Sequence, residues 1–191
     1  MSKILIGIQG GKGSFSEEAA KKFISENRIK EYEIKYLISS SEVLFAVESE
    51  VVDYGIFDME NAQGGVVIES VEAMAEHRCK IVNMFHVTIS QNLLVMEGVS
   101  LEDISEIHSH QQALRQCKDY LANNFWSCPL IESDDTAEAA RRLSEGRLPS
   151  SRAVIGSKYC SELYGLKILK NDIHDLKHNL TLFLAVKGMG N

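Results

Sequence analysis

A hydroxyl near the end of this chain is the group best placed to do chemistry. The stretch 173–186, IHDLKHNLTLFLAV, ends in a run from Leu180 to Val186 that is apolar apart from Thr181. Apolar runs of this length read as buried strands. Asn179 and Thr181 are two residues apart, so on a strand both side chains point to one face. A polar pair on a buried face requires partners or a ligand. An amide and a hydroxyl there can give and accept hydrogen bonds without carrying charge. Such a late strand must insert beside strands formed much earlier in the chain.

A second candidate lies at the start. Lys3–Gln9, KILIGIQ, reads as a strand, GGKGS follows, and a helix is expected from Ser14 to about Ser25. A phosphate loop of the P-loop type needs Ser or Thr directly after the lysine, whereas Gly13 follows Lys12. The dinucleotide pattern GxGxxG fits Gly11 and Gly13 and fails at Ser16. What remains is a helix start with free N–H groups and the hydroxyls of Ser14 and Ser16, suited to a carboxylate as well as a phosphate. Simple helix capping by Ser14, with Glu17 as its capping-box partner, fits the same residues.

These groups must be positioned by the elements between them. Strands are expected at 32–37, 53–57, 80–85, 87–96, 106–109, 127–132, 152–156 and 167–169. Helices are expected from Ser39–Ser41 to about Glu50, after the loop 58–65 to His77, from Ser109–Gln112 to about Asn123, from Asp134–Thr136 to about Glu145, and from Ser157 to Tyr164. Alternating strands and helices predict a parallel α/β architecture. In such sheets ligands gather at the carboxyl ends of strands. Five strand-to-helix junctions carry small or hydroxyl residues: Gly13-Ser14, Gly64-Gly65, Ser109-His110, Thr136 and Gly156-Ser157. The expected arrangement is a two-lobed, periplasmic-binding-protein-like α/β fold with two strands crossing between lobes and a small anion in the cleft. The first lobe takes residues 1–85 and 173–191, the second 86–172.

Composition narrows the classes. The net charge of -7, with no basic run, argues against a nucleic-acid partner. The apolar runs are strand-sized, so no membrane span is expected. Cys79, Cys117, Cys128 and Cys160 form no CxxC pair, and no signal peptide precedes Lys3, so reduced thiols in the cytoplasm are expected. His108 with His110 and His174 with His178 have suggestive spacings but no obvious companion ligands, so no metal is expected.

Read together, several segments resemble prephenate dehydratase. They are Ile8-Gln9-Gly10-Gly11-Lys12-Gly13-Ser14-Phe15-Ser16, Asp53-Tyr54-Gly55, Glu60-Asn61 with Gly64-Gly65, and Ser109-His110 with Gln112-Ala113-Leu114. Thr136-Ala137 with Ala139-Ala140, Leu163-Tyr164-Gly165-Leu166, and Asn179 with Thr181 and Phe183 complete the match. The resemblance implies prephenate as a dicarboxylate substrate, converted without a cofactor to phenylpyruvate, water and carbon dioxide in phenylalanine biosynthesis. Thr181 and Asn179 would be catalytic. Gly13, Ser14, Phe15, Ser16, Glu60, Asn61, Gly64, Gly65, Ser109, His110, Gln112, Thr136, Ser157 and Phe183 would bind substrate. Relatives associate, so a homodimer is expected by analogy.

The chain departs from the family pattern at defined points. Leu182 replaces the signature arginine, Ala62 a serine, Gln111 a proline, and Gln91 stands where a histidine is common. Arginine grips a carboxylate in a way leucine cannot, and losing one such donor costs roughly 3 kcal/mol, which puts activity in doubt. Lys12, Lys158 or Lys177 would be substitutes. Many family members continue into a phenylalanine-binding ACT domain, and no such segment follows Asn191, so feedback control within this polypeptide is not expected. Two alternatives stay open: a catalytically impaired member that senses an aromatic or keto acid, and a prephenate decarboxylase that keeps the ring hydroxyl.

Overall fold

The computed structural model describes residues 3–190. The chain divides into two compact units, Met1–Thr88 with Leu180–Asn191, and Ile89–Asn179. It crosses between them twice, at 88/89 and 179/180.

The first unit begins with β1 (Ile4–Gln9), α1 (Phe15–Glu26), β2 (Tyr32–Leu37) and α2 (Ser40–Glu48). It continues through β3 (Tyr54–Asn61), β4 (Gly65–Val66), α3 (Ile68–Glu76) and β5 (Lys80–Thr88). The second unit holds β6 (Asn92–Val95), β7 (Glu106–Ser109), α4 (Gln111–Gln116), α5 (Lys118–Asn124) and β8 (Leu130–Glu132). Then come α6 (Thr136–Ser144), β9 (Arg152–Gly156), α7 (Lys158–Tyr164) and β10 (Lys167–Lys170), before β11 (Leu180–Lys187) returns to the first unit.

The sheet of the first unit runs β2-β1-β3-β11-β5, with β4 folded back on β3. β1 is parallel to β2 and β3, whereas β11 runs antiparallel to both its neighbours. Helices cover both faces, which is why β1 can be apolar without alternation. On one face α1 packs Ala19, Ala20, Phe23 and Ile24 against Ile6, Ile8, Ile56, Phe183 and Ala185. On the other, α2 packs Val43, Leu44 and Val47 against Phe57, Leu184 and Val186. Gly55 permits that second contact: a Cβ there would lie 2.7 Å from Val43 and 2.8 Å from Val47. Caps start the helices as the sequence predicts, Ser14 accepting the Glu17 N–H and Ser39 the Glu42 N–H.

The second sheet runs β10-β6-β9-β7-β8, with β7, β8 and β9 mutually parallel and β6 and β10 antiparallel additions. α6 buries Ala137, Ala139, Ala140 and Leu143 on one of its faces. α4 and α5 bury Ala113, Cys117 and Leu121 on the other.

Several boundaries differ from the expected ones, each for a reason carried by a distant partner. Residues 58–61 look like a loop because they are polar, yet they extend β3, since backbone pairing with β11 does not depend on side chains. α3 therefore starts at Ile68, after the β4 fold-back, rather than at Gly64-Gly65. β5 continues through His86 to Thr88 because its whole length pairs with β11. The expected single helix to Asn123 is two, separated at Cys117. The first N–H groups of α5 are capped by Asp175, whose carboxylate accepts from Asp119 and Tyr120 at 3.1 and 3.3 Å. That contact and Ile173, 3% exposed in the second unit's core, place 173–179 with the second unit rather than the first.

Candidate active site

Thr181 lies one residue into β11, at the tip of the sheet where β3 ends. It pairs in register with Asn61 of β3, and it is 5% exposed. The Asn61 amide nitrogen donates to the Thr181 hydroxyl oxygen at 2.8 Å. The direction of this bond is fixed by the rest of Asn61. Its side-chain oxygen accepts the backbone N–H groups of Gln63 and Gly64 at 3.0 and 2.9 Å. The oxygen is thus turned toward the 62–64 turn, and the NH₂ end must face Thr181. Thr181 therefore acts as acceptor toward Asn61, and its own proton is directed to a third group.

Asn179, expected on the same strand face as Thr181, lies just before β11, fully buried, its carbonyl accepting the Ile89 N–H at 2.7 Å. Asn61, expected as a substrate-binding residue, meets Thr181 across a separation of 120 positions in the chain.

The glycine loop is partly closed from within. Glu17, 3% exposed, accepts the Gly13 N–H at 2.7 Å and pairs with Lys21 at 3.1 Å. The anion at this helix start is thus the protein's own carboxylate, reaching back one residue further than the expected capping box. Ser14 is buried and caps α1, Phe15 and Ser16 are half-buried, and Lys12 is exposed. Gly64 and Gly65 are exposed in the turn after Asn61.

Alternation along β11 separates Thr181 from its neighbour. Phe183 and Ala185 share the α1 face with Thr181, while Leu184 and Val186 sit on the α2 face. Leu182 has the parity of Leu184, so it projects from the opposite side of the strand. It is half-buried and in register with the exposed Glu60. The side chains at 181 and 182 therefore leave β11 on opposite faces. Phe183 is a packing residue rather than a ligand contact: it is 1% exposed and its ring stacks on Phe85 at 6.3 Å. Asp58, three residues before Asn61 on β3, was not singled out by sequence. Burial pushes its carboxyl above the usual range, and the Glu69 charge adds to that shift.

In the second unit most candidate hydroxyls serve local structure. Ser109 is fully buried and donates to the Ile155 carbonyl at 2.9 Å. Ser157 accepts the Cys160 N–H at 3.0 Å as the cap of α7. α6 is capped by Asp135, to which the Thr136 hydroxyl donates at 3.3 Å. His110 and Gln112 are exposed, the His110 ring accepting the Gln112 N–H at 3.3 Å. Of the histidine pairs, His108 meets Glu106 at 3.1 Å, and Glu106 also holds Arg152 at 2.8 Å. Lys158 lies 3.9 Å from Glu162, both well exposed, and Lys177 is exposed. Among the described residues no three His, Cys, Asp or Glu side chains converge on a metal-binding position, and no helix is long and apolar enough to cross a membrane. The four cysteines are free thiols.

Comparison with known proteins places the family and the fold. The family model described as prephenate dehydratase matches residues 6–190. The chain is 35% identical over 187 residues to arogenate dehydratase/prephenate dehydratase 1, chloroplastic, of Arabidopsis thaliana, covering 97% of this chain and 45% of that protein. It spans less than half the length of the first such relatives. Among solved structures, the prephenate dehydratase of Arthrobacter aurescens in complex with L-Phe superposes with a TM-score of 0.88 at 24% identity, over 98% of this chain and 61% of that one. A nutrient-binding protein of Burkholderia cenocepacia bound to methionine has the same fold more loosely, with a TM-score of 0.54 at 14% identity over 96% and 84% of the two chains. The two-sheet α/β fold with two crossings is thus of the periplasmic-binding-protein-like kind, and the chain belongs to the prephenate dehydratase family.

Proposed function

We propose that this chain converts prephenate to phenylpyruvate, water and carbon dioxide, with Thr181 assisting departure of the ring hydroxyl. The observation that carries the reading is the Asn61–Thr181 bond. An amide fixed by two backbone donors makes the threonine oxygen an acceptor and leaves its proton for the substrate.

The chemistry asks for little more at that point. The bond from the ring to its carboxylate carbon breaks, and its electron pair moves through the ring. The bond to the ring hydroxyl breaks in turn, and the oxygen leaves as water once it gains a proton. No external oxidant or reductant enters this balance. A neutral hydroxyl is a weak acid, so Thr181 contributes a hydrogen bond to the departing oxygen, strongest as charge develops there, and solvent supplies the net proton. Near-complete burial strengthens that bond relative to one in water. Leu182 leaves the strand on the opposite face from Thr181, so the hydrogen bond to the departing oxygen is assigned to Thr181 independently of position 182.

Incubation of the purified chain with prephenate, following phenylpyruvate by absorbance, tests the proposal directly. Turnover above the buffer rate is expected. Calorimetric binding of prephenate without turnover would replace this reading with that of a sensor. A product still carrying the ring hydroxyl would replace it with decarboxylation alone. Running arogenate beside prephenate then assigns the preferred substrate.

A further inference from the structure

A second recess lies wholly within the second unit. Leu114, Lys118, Leu121 and Phe125 follow one another at spacings of four, three and four, so they form one line along α4 and α5 despite the break at Cys117. Facing them, β8 sets Leu130 and Glu132, two apart, on one side of an edge strand. The space between is a cavity of about 420 Å³. That size falls within the range of small-molecule sites, roughly 300–1,000 Å³.

Its parts differ in chemistry. The floor is apolar: Leu121 is 2% exposed, and Leu114 and Phe125 pack against the same core cluster. The rim carries two cations, Arg115 and Lys118, and the indole of Trp126, which is 85% exposed. The acid at the rim, Glu132, accepts a hydrogen bond from the Gln111 amide at 3.0 Å. Lys118 forms no ion pair among the described residues. Positive rim charge over an apolar floor stands out in a chain of net charge -7. None of these residues belongs to the Thr181 site.

We infer that this recess binds a small aromatic carboxylate, its ring on the Leu114–Leu121–Phe125 floor and its carboxylate at Lys118 and Arg115. An apolar floor favours the ring over a simple anion. Paired cations favour the carboxylate over a neutral ring compound. The exposed indole closes over the ring edge, where aromatic pairs are favourable. The inference is independent of the proposed dehydratase reaction.

Trp126 is the single tryptophan of the chain, so its emission reports this site alone. The purified full chain is titrated with phenylacetate and, separately, with the neutral isostere phenylacetamide. A saturable change in emission is expected with phenylacetate, about tenfold weaker with the amide and about tenfold weaker in Lys118→Gln. Lys118→Gln should leave prephenate turnover unchanged, and Thr181→Ala should leave the fluorescence titration unchanged, so the two sites succeed or fail separately. Absence of saturable binding by both fluorescence and calorimetry overturns the inference, as does equal binding of acid and amide. A dimer in sedimentation that Trp126→Ala dissociates and phenylacetate does not affect would place a second copy of the chain on this surface and overturn it likewise.

Discussion

The two units begin their helices with the same residue types and use them differently. In the second unit, Ser157 and Asp135 cap helices, and Ser109 donates to a neighbouring strand's carbonyl. Each of these polar groups closes a local circuit. In the first unit, Ser14 and Ser39 close similar circuits, but at the tip of β3 and β11 the circuit stays open. Asn61 is satisfied by the 62–64 turn and gives its NH₂ to Thr181, whose proton then has to go elsewhere. A hydroxyl at a helix start is thus poor evidence of a site. A hydroxyl whose acceptor role is already imposed by a fixed neighbour is much better evidence.

That contrast can be broken at several points. The largest effect is expected from Phe183→Ala, which removes a ring stacked beneath the site on Phe85. Loss of about 3–5 kcal/mol of unfolding free energy is expected in chemical denaturation, near the upper end for a core truncation. Thr181→Ala should come next, with a fall of about 10² in kcat and, because the buried Asn61 amide loses its acceptor, a loss of about 1–3 kcal/mol of stability; Thr181→Ser should recover most of both. If Thr181→Ala turns over prephenate at the parent rate, the open circuit has no catalytic meaning. In the second unit, Ser157→Ala should cost only about 1 kcal/mol of stability, as a lost cap does, with kcat unaltered. A large loss of rate there would mean that its hydroxyl is not confined to capping. The smallest effect is expected from Leu182→Arg. Because that side chain leaves the far face of β11, kcat/KM should stay within about threefold of the parent, under about 0.7 kcal/mol by the usual conversion. A gain of two orders of magnitude would show that position 182 reaches the substrate after all.

Much of the fold was legible because its signals are local. The apolar runs of β1 and β9 and the serines before α1, α2 and α7 announce themselves within a few residues. What sequence hid was everything decided by a distant partner. Asp58–Asn61 reads as a polar loop, yet pairs with a strand formed more than a hundred positions later. α5 is capped by Asp175, 56 residues beyond Asp119. The site followed the same rule. Thr181 was visible as a lone hydroxyl in an apolar run and Asn61 as a separate binding residue, but the pairing of β11 with β3 is what joins the two. Strand alternation was already sufficient to separate Leu182 from Thr181. The family resemblance sets the signature arginine's position next to Thr181 along the chain, whereas the side chains at 181 and 182 point to opposite faces.

The direction of the Asn61–Thr181 hydrogen bond is the core of this account, and Asn61→Asp tests it with almost no change of shape. The aspartate keeps an oxygen for the Gln63 and Gly64 N–H groups but places a second acceptor where the NH₂ was, so it draws the Thr181 proton to itself. A fall in kcat of about 10², with the melting temperature close to the parent's, is the expected result. Parent-level turnover of prephenate by Asn61→Asp would contradict the assignment of Thr181 as donor.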